Sequence, residues 1–469
     1  MWSDVVEAET IRVPAVSGVV VVIGLGRVGL PTAVQYATRG WRVLACDANP
    51  RVVESINERL VPLQDEPELE KLLPGLVERG LLSATLNIAE VVARANIVVV
   101  TVPVQLDEER QVRFHELDMW TETIGRALQP GTLVSYEMPL PVGTTASRLQ
   151  PLLEQCSGMD AGREFYLAYS PEHVTAGRAF CDLRTNPKVV GGIDARSTHA
   201  AAAFYRSALP VEIVTVASTA EAEFVKLLEL TYRDVNIALA NEFACYADEQ
   251  GLDVIAATAA ANSQPCVHIH RPGVGVGGHA LPKYPYLLIN NVATNELPDE
   301  QNVLPGLSLL RAARRINDSM AEYAVQRIEA EAGSLWRRSV LLLGVAYRED
   351  VREVTFSSAY GLQTALWRHG ATVYVDDPLY TPAELHALGF QPLPPGREDE
   401  IDAMILQAAH RAYQTFDFRR FARCRVVLDG RHGLLRACVQ EAGIRYMALG
   451  SGVEDAAQCM VPFRGEARS

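Results

Sequence analysis

The chain has 469 residues, a formal net charge of −14 at pH 7 and a hydrophobic content of 48%. This length predicts two or three domains, and the negative charge argues against a general nucleic-acid or anionic-membrane binder while allowing a local basic pocket for phosphates. The longest apolar runs have the length of strands, and the acidic N-terminus shows no secretory signal. We therefore expect a cytoplasmic protein whose eight scattered cysteines are reduced thiols.

The first predicted element is a buried strand at residues 19–23, which leads through a glycine-rich turn into a helix. The turn has the pattern GxGxxG, which permits a tight bend, lets a pyrophosphate approach the backbone and packs the helix on the strand. An aspartate follows the second strand at residues 41–46, where a carboxylate accepts ribose hydroxyls and repels a 2′-phosphate. The alternative is a glycine turn without a ligand. The pattern favours an NAD site formed by Gly24, Leu25, Gly26, Arg27, Val28, Gly29 and Asp47.

The alternation of strands and helices continues through the N-terminal half. Further strands are predicted just before Ser170 and at residues 97–102, 133–136 and 187–192. In open α/β sheets, ligands bind beyond the carboxyl ends of the strands. Pro103 and Glu137 stand at such ends, so we predict that they contact the cofactor. Glu172 stands at another strand end and is the best acid/base candidate, with a solvated loop carboxylate as the alternative.

A long helix is predicted at residues 219–250, a stretch without glycine or proline. Such a helix suits a spine between two domains or two subunits, and we expect the chemistry to lie where the two halves of the chain face each other across it. Lys226 lies in its first turns. Apolar spacing predicts a buried helical face formed by Phe224, Leu227, Leu228, Thr231, Val235, Ala238 and Leu239.

A second glycine-rich loop follows a helix predicted at residues 253–261. Arg271 stands beside it, and His268, His270 and His279 surround it. The spacing of these histidines matches no zinc pattern, so we predict no metal site. A phosphate or sugar ligand fits this loop better, because its backbone can approach a ligand closely at Gly273, Gly275, Gly277 and Gly278.

The C-terminal half again alternates strands and helices but lacks GxGxxG. Strands are predicted at residues 339–344, 371–375, 401–406 and 425–428. A second nucleotide-type domain suggests that the second ligand is itself a nucleotide derivative. The predicted fold class is α/β, with two Rossmann-like doubly wound domains joined by a long central helix in an all-helical middle domain. The predicted domains are residues 1–215, 216–318 and 319–469.

Taken together, the motifs resemble the UDP-glucose/GDP-mannose dehydrogenase family, especially its UDP-N-acetylhexosamine branch. The matching segments are VVVVIGLGRVGLPTA, PVGTT, SPEHVTAG, PKVVGG, EAEFVKLLELTYRDVNIALANE, RPGVGVGGHALP, LLLGVAYR and VVLDGR. The resemblance implies an NAD-dependent homodimer that oxidises the C6 alcohol of a UDP-sugar to a carboxylate in two hydride transfers. It implies catalytic roles for Lys226 and Glu172. It also implies substrate binding by Arg271, Gly275, Gly278, His279, Tyr347, Arg348 and Arg431.

The chain departs from the family pattern at positions that carry chemistry. Ala280 stands where the family has the cysteine that captures the aldehyde, and a methyl group is not a nucleophile. Tyr284 replaces an aspartate that helps to activate water, and Leu230 replaces an asparagine that holds the oxyanion. Met138 and Pro139 replace a Ser-Thr pair. The C-terminal substrate motif is also altered, at Arg348 and Thr355.

Three hypotheses follow from these departures. In the first, hydride transfer stops at an aldehyde or ketone, or is reversed in a redox-neutral reaction; Lys226 neutralises the alkoxide and lowers the pKa of Tyr284, which acts as the base. In the second, the carboxylate is reached without the loop cysteine, through an aldehyde hydrate or through Cys266, although we expect Cys266 to be buried. In the third, the protein is a non-catalytic regulator that binds NAD or a nucleotide sugar.

Overall fold

The computed structural model describes residues 18–63, 66–107, 110–175, 177–291 and 307–451. The chain divides into two compact units, one formed by residues 1–232 with 283–308 and the other by residues 233–282 with 309–469. The three predicted domains, with boundaries after residues 215 and 318, stay a prediction. Within the described ranges, no helix combines the length and the apolarity that a membrane crossing requires. The cytoplasmic location also stays a prediction.

The first unit is built around a mostly parallel sheet. Its strands are β1 (Val19–Ile23), β2 (Arg42–Cys46), β3 (Leu82–Thr85), β4 (Ile97–Val100), β5 (Gln105–Leu106), β6 (Val112–Arg113), β7 (Leu133–Tyr136), β8 (Tyr166–Tyr169), β9 (Lys188–Gly192) and β10 (Ile213–Thr215). Among the described residues, eight of them form one sheet in the order β10-β9-β8-β7-β4-β1-β2-β3, and β5 pairs with β6. All neighbours in the large sheet are parallel except β8 and β9.

Helices cover both faces of this sheet, which explains why its central strands are apolar throughout. The helices are α1 (Gly29–Thr38), α2 (Pro50–Asn57), α3 (Pro67–Glu78), α4 (Ile88–Val92), α5 (His115–Ala127), α6 (Gln150–Ser157), α7 (Ala179–Thr185) and α8 (Ala195–Ala208). A π-helical turn at Thr145–Leu149 leads into α6. The strands predicted at residues 19–23 and 133–136 are confirmed residue for residue, and the others are confirmed within one or two residues at each end.

The long helix is α9 (Thr219–Gln250), and its predicted bounds are confirmed. The helices α10 (Val254–Ala261) and α11 (Pro285–Ile289) follow it along the chain. The predicted buried face of α9 is partly wrong: Leu227 and Ala238 are buried, but Phe224, Leu228 and Leu239 are 42%, 47% and 39% exposed. The reason is that the buried face also carries polar side chains whose hydrogen-bond partners lie far away in sequence. Those polar residues are Glu223, Lys226, Asp234 and Asn241.

The second unit contains a parallel sheet of its own. Its strands are β11 (Ser339–Leu343), β12 (Thr372–Asp376), β13 (Ala403–Leu406), β14 (Val426–Asp429) and β15 (Arg445–Ala448), and its helices include α12 (Ser308–Ala332), α13 (Ser358–Arg368), α14 (Pro382–Ala387) and α15 (Arg436–Glu441). The sheet order is β12-β11-β13-β14-β15 among the described residues. At the end of α13, His369 contacts Glu322 and Glu329 of α12 at 2.9 and 2.8 Å. The Rossmann-like sheet of the second unit, with the one in the first unit, confirms the predicted α/β class.

Candidate active site

The turn between β1 and α1 has the geometry that a dinucleotide requires. Gly24 has φ +92°, in the left-handed region that favours glycine. A Cβ built on Gly29 would lie 1.7 Å from the carbonyl oxygen of Gly24, so helix and turn pack too closely for a side chain. A Cβ on the exposed Gly26 would meet no protein atom within 4 Å. The backbone of Gly26 is therefore open to a pyrophosphate, and the turn fits NAD.

Asp47 closes the turn from the end of β2. Its Oδ2 accepts a hydrogen bond from the backbone N of Leu25 at 2.7 Å, and its Oδ1 accepts one from the backbone N of Asn49 at 2.8 Å. The side chain of Leu25 is only 2% exposed and belongs to the core, so only its backbone can face a ligand. Arg27 and Val28 are half-buried on the turn, and Pro103 is exposed after β4. Their contacts with the cofactor stay predictions.

Glu137 is tied to partners inside the fold, and its predicted contact with the cofactor stays a prediction. It is 2% exposed, and its Oε1 accepts hydrogen bonds from the hydroxyls of Tyr36 and Tyr205 at 3.2 and 2.8 Å. Its Oε2 lies 2.9 Å from Nζ of Lys188, which is also buried. Burial, and then the Glu137 charge, raises the pKa of both tyrosines, so they stay protonated donors. The carboxylate is committed to these internal partners, because an unpaired charge at this depth would be costly.

Lys226 and Glu172 form a close pair in the first unit. Nζ of Lys226 donates a hydrogen bond to the backbone carbonyl of Glu172 at 2.6 Å and lies 3.4 Å from its Oε1. The other carboxylate oxygen of Glu172 accepts a hydrogen bond from the backbone N of Val174 at 2.8 Å. The two side chains are 9% and 15% exposed, so the pair is largely shielded from water. The structure therefore brings together the two side chains that the sequence proposed as catalytic.

Glu223, which the sequence reasoning missed, fixes the first turns of α9. It is fully buried one turn before Lys226. Its carboxylate accepts hydrogen bonds from the backbone N of Gly143 at 2.5 Å and from the backbone N and hydroxyl of Thr145 at 2.8 and 2.6 Å. Burial raises its pKa, and the hydrogen bonds from Thr145 oppose that shift. The signal in the sequence was an acid at i−3 from Lys226, on the same helical face.

The structure argues against Tyr284 as a base. Tyr284 is 7% exposed, and burial followed by the Glu172 carboxylate raises its pKa far above the ordinary value. The hypothesis required a lowered pKa, so the direction of the shift is opposite to the expected one. Leu230 and Met138, which the family resemblance predicts to replace polar residues, are 7% and 2% exposed. These three side chains of the first unit are therefore buried apolar or aromatic groups.

The second glycine-rich loop is fixed by a buried network in the second unit. The backbone N of Gly273 donates to Oδ1 of Asn241 at 2.9 Å, and the amide of Asn241 donates to Oδ1 of Asn317 at 2.9 Å. Asn317 in turn donates to Oδ1 of Asp234 at 2.8 Å. The buried Arg314 donates to that same Oδ1 at 2.6 Å and to the carbonyl of Leu281 at 3.3 Å, beyond the far end of the loop. The loop is thus held at both ends.

Arg431 and Tyr347 also support this loop. Arg431 donates to the carbonyl of Gln407 at 2.7 Å, the carbonyl of Gly275 at 3.1 Å and the hydroxyl of Ser358 at 3.0 Å. Burial lowers its pKa to about 10, which leaves it charged at neutral pH. The ring of Tyr347 packs on the loop, because a Cβ on Gly278 would lie 3.0 Å from it. These contacts favour a role for Arg431 and Tyr347 in supporting the loop over the substrate contacts that were predicted for them.

The remaining predicted substrate residues differ in exposure. Arg271 and His279 are exposed and Arg348 is half-buried, and their contacts with substrate stay predictions. Cys266 is exposed, so the expectation that it is buried was wrong. Across the described parts of the chain, no three His, Cys, Asp or Glu side chains are grouped as metal ligands would be.

Comparison with known proteins identifies relatives over most of the chain. Three models of the UDP-glucose/GDP-mannose dehydrogenase family match: the NAD binding domain at residues 19–209, the central domain at 220–319 and the UDP binding domain at 341–436. The UDP-N-acetyl-D-mannosamine dehydrogenase of Pyrococcus horikoshii is 31% identical over 420 residues, which cover 88% of this chain and 95% of that protein. The NDP-N-acetyl-D-galactosaminuronic acid dehydrogenase of Ralstonia solanacearum is 30% identical over 420 residues, covering 87% and 95%. A solved structure of the P. horikoshii UDP-D-ManNAc dehydrogenase matches with a TM-score of 0.82 at 31% identity, covering 92% and 99%.

Proposed function

Because this chain belongs to the UDP-glucose/GDP-mannose dehydrogenase family, we propose that it transfers a hydride from a hydroxyl-bearing carbon of a UDP-sugar to NAD and stops at the carbonyl stage. The observation that carries the proposal is the set of replaced residues. Ala280, Leu230 and Tyr284 stand where the family resemblance expects a cysteine, an asparagine and an aspartate. The NAD turn and the Lys226–Glu172 pair are retained.

The replacements act on the second half of the family reaction. Without a thiol at Ala280 there is no thiohemiacetal, and hence no thioester for water to hydrolyse. Tyr284 and Leu230 are buried, so they also exclude water from their surroundings. The reacting carbon of an unhydrated aldehyde or ketone bears no hydroxyl group. It therefore cannot lose a second hydride and proton in the same way. The first hydride transfer needs none of these three groups.

The retained pair can carry the first step alone. When bound, NAD supplies the hydride acceptor. The Glu172 carboxylate accepts the hydroxyl proton of the sugar. The hydride departs from the same carbon with the C–H electron pair, and a C=O bond forms. One N–H of Lys226 is held by the Glu172 carbonyl at 2.6 Å, which leaves other N–H groups to stabilise negative charge on the substrate oxygen.

The substrate class that we favour is a UDP-N-acetylhexosamine. Two relatives that match this chain over most of their own length are named for N-acetylated hexosamine derivatives. The second unit supports the nucleotide part of this proposal, since its matching family model is described as a UDP binding domain.

We also infer that the protein is a homodimer that pairs through α9. Six large apolar side chains on this helix are exposed, at spacings of three, four or seven residues: Phe224, Leu228, Tyr232, Leu239, Phe243 and Tyr246. They extend along roughly 33 Å of helix at 1.5 Å per residue. A monomer rarely leaves so large an apolar surface in water, and a second copy covers it with the same surface.

The test is an end-point measurement of NADH with limiting UDP-sugar and excess NAD. UDP-N-acetylglucosamine, UDP-N-acetylmannosamine and UDP-glucose are compared, and Lys226→Met is the control that retains the NAD turn. One NADH per sugar, lost in the control, is the expected result. Two NADH per sugar would mean full oxidation to the acid and would overturn the proposal. No NADH would also overturn it, and NMR of the recovered sugar would then separate a redox-neutral reaction from a non-catalytic protein.

A further inference from the structure

The turn formed by Ser170, Pro171 and Glu172, which we name the acid turn, presents three successive carbonyl oxygens to two buried lysines. Nζ of Lys188 lies 3.3 Å from the carbonyl oxygen of Ser170 and 3.2 Å from that of Pro171. Nζ of Lys226 lies 2.6 Å from the carbonyl oxygen of Glu172. The two lysines come from β9 and α9, so they hold the acid turn from two separate elements.

Every N–H donor of the Lys188 ammonium has an acceptor. Its third acceptor is Oε2 of Glu137 at 2.9 Å, and the ring of Tyr205 lies below the ammonium, 5.0 Å from Nζ to the ring centroid. A lysine has three N–H donors, and here each has an acceptor. A buried ammonium is costly unless it is paired and hydrogen-bonded in this way. The geometry of Lys188 is therefore tied to the position of the acid turn.

Lys188 is 6% exposed, so it is shielded from bulk solvent. The cavity beside it, which Glu137 and Glu172 also line, has a volume of about 20 Å³, enough for about one water molecule. On the other side of the turn, the backbone N of Glu172 donates to the carbonyl of Glu137 at 3.2 Å. The direct contacts that link Lys188 to the segment carrying Glu172 are those with the acid turn.

We propose that Lys188 is a positioning residue, which sets the place of the Glu172 carboxylate and of the Lys226 ammonium by holding the carbonyls of Ser170 and Pro171. The inference rests on the function proposed above, in which this pair receives the proton and stabilises the substrate oxygen. If the acid turn shifts, the backbone carbonyl that orients Lys226 moves with it. A displacement of about 1 Å in such a pair typically costs up to 100-fold in rate.

The experiment uses a double variant, Lys188→Met with Glu137→Gln, so that neither charge stays buried without its partner. Lys71→Met, an exposed lysine on α3, is the matched control. Because the chain has four lysines, isotope labelling of lysine gives an NMR signal for Lys226 that can be followed without turnover. The kcat and KM for UDP-N-acetylglucosamine or UDP-N-acetylmannosamine and the Kd for NAD are measured on the same proteins.

The expected result is a kcat about 10- to 100-fold lower in the double variant, with KM and the Kd for NAD within about threefold of wild type. The Lys226 signal should move in the double variant and stay in place in Lys71→Met. An unmoved Lys226 signal, or an unchanged kcat, overturns the proposal. If wild type shows no turnover, the function proposed above fails, and the Lys226 signal alone decides the present inference. If the double variant does not fold, Lys188→Arg replaces it: a Lys226 signal at the wild-type position would then overturn the proposal.

Discussion

Replacing Gly26 by alanine should strongly weaken cofactor binding while leaving the fold intact. Gly26 is exposed at the turn after β1, and a Cβ at this position meets no protein atom within 4 Å. Its φ lies outside the left-handed region, so alanine fits the backbone. The added methyl group instead occupies the space through which a pyrophosphate would approach the main chain.

The expected magnitudes separate binding from folding. For Gly26→Ala, the free energy of unfolding should stay within about 0.5 kcal/mol of wild type, as for other surface substitutions. The Kd for NAD should rise about 100-fold or more, which corresponds to about 2.7 kcal/mol of lost binding free energy. Gly29→Ala is the structural counterpart, because its Cβ would lie 1.7 Å from the Gly24 carbonyl. It should lower the free energy of unfolding by roughly 1–3 kcal/mol or more.

Titration calorimetry with NAD, paired with urea unfolding in the absence of NAD, measures both quantities. Adding a saturating UDP-sugar to the same samples checks that the rest of the protein still binds its second ligand. Normal NAD affinity in a folded Gly26→Ala protein would refute the placement of the pyrophosphate on this turn. A Gly26→Ala protein that unfolds as readily as Gly29→Ala would refute the reading of the open space around Gly26.

Three further predictions concern other parts of the chain. Tyr284→Phe should change kcat by less than about threefold, since burial and the Glu172 charge raise the pKa of the hydroxyl; a loss of 100-fold would restore Tyr284 as the base. The hydrogen bonds that His369 donates to Glu322 and Glu329 raise its pKa, so its stabilising contribution is complete below its unfolded pKa near 6.5 and is lost as pH rises through the higher folded value. Wild type should therefore exceed His369→Gln by roughly 1–2 kcal/mol of unfolding free energy near pH 6 and by less near pH 9, in urea titrations; a difference independent of pH contradicts this. Phe243→Glu on α9 should produce monomers in light scattering after size exclusion, whereas the exposed Glu242→Gln should leave the assembly unchanged.

The sequence predicted the elements whose signals are local. Residues 19–23 are a continuous apolar run, 133–136 are a short mostly apolar run, and 219–250 is a long periodic stretch, so their lengths and types follow from neighbouring residues. The NAD turn was likewise predictable, since the glycines and the aspartate that shape it lie within 24 residues. These elements need no knowledge of distant partners.

The failures arose where a side chain depends on distant parts of the chain. The position of Glu137 at a strand end did not reveal its internal partners Tyr36, Tyr205 and Lys188, which lie 101, 68 and 51 residues away. The buried face of α9 was misjudged for the same reason. Buried Glu223 is satisfied by a loop about 80 residues away, while the apolar Phe224 beside it is exposed. Apolar spacing alone does not distinguish a face that packs inside one chain from a face that a second copy would cover.

The buried charges favour the hydride-transfer proposal over a non-catalytic protein. Replacing a buried ion pair by apolar side chains of similar size is often neutral or stabilising. A protein that only bound NAD or a nucleotide sugar would lose nothing in stability if Lys226 and Glu172 were apolar. Instead both remain, 3.4 Å apart. A second buried pair, Lys188 and Glu137, holds the acid turn. The family resemblance implies that alanine, leucine and tyrosine stand at positions that serve hydrolysis in the family. Under the proposed function, the charges that persist are those that a first hydride transfer uses.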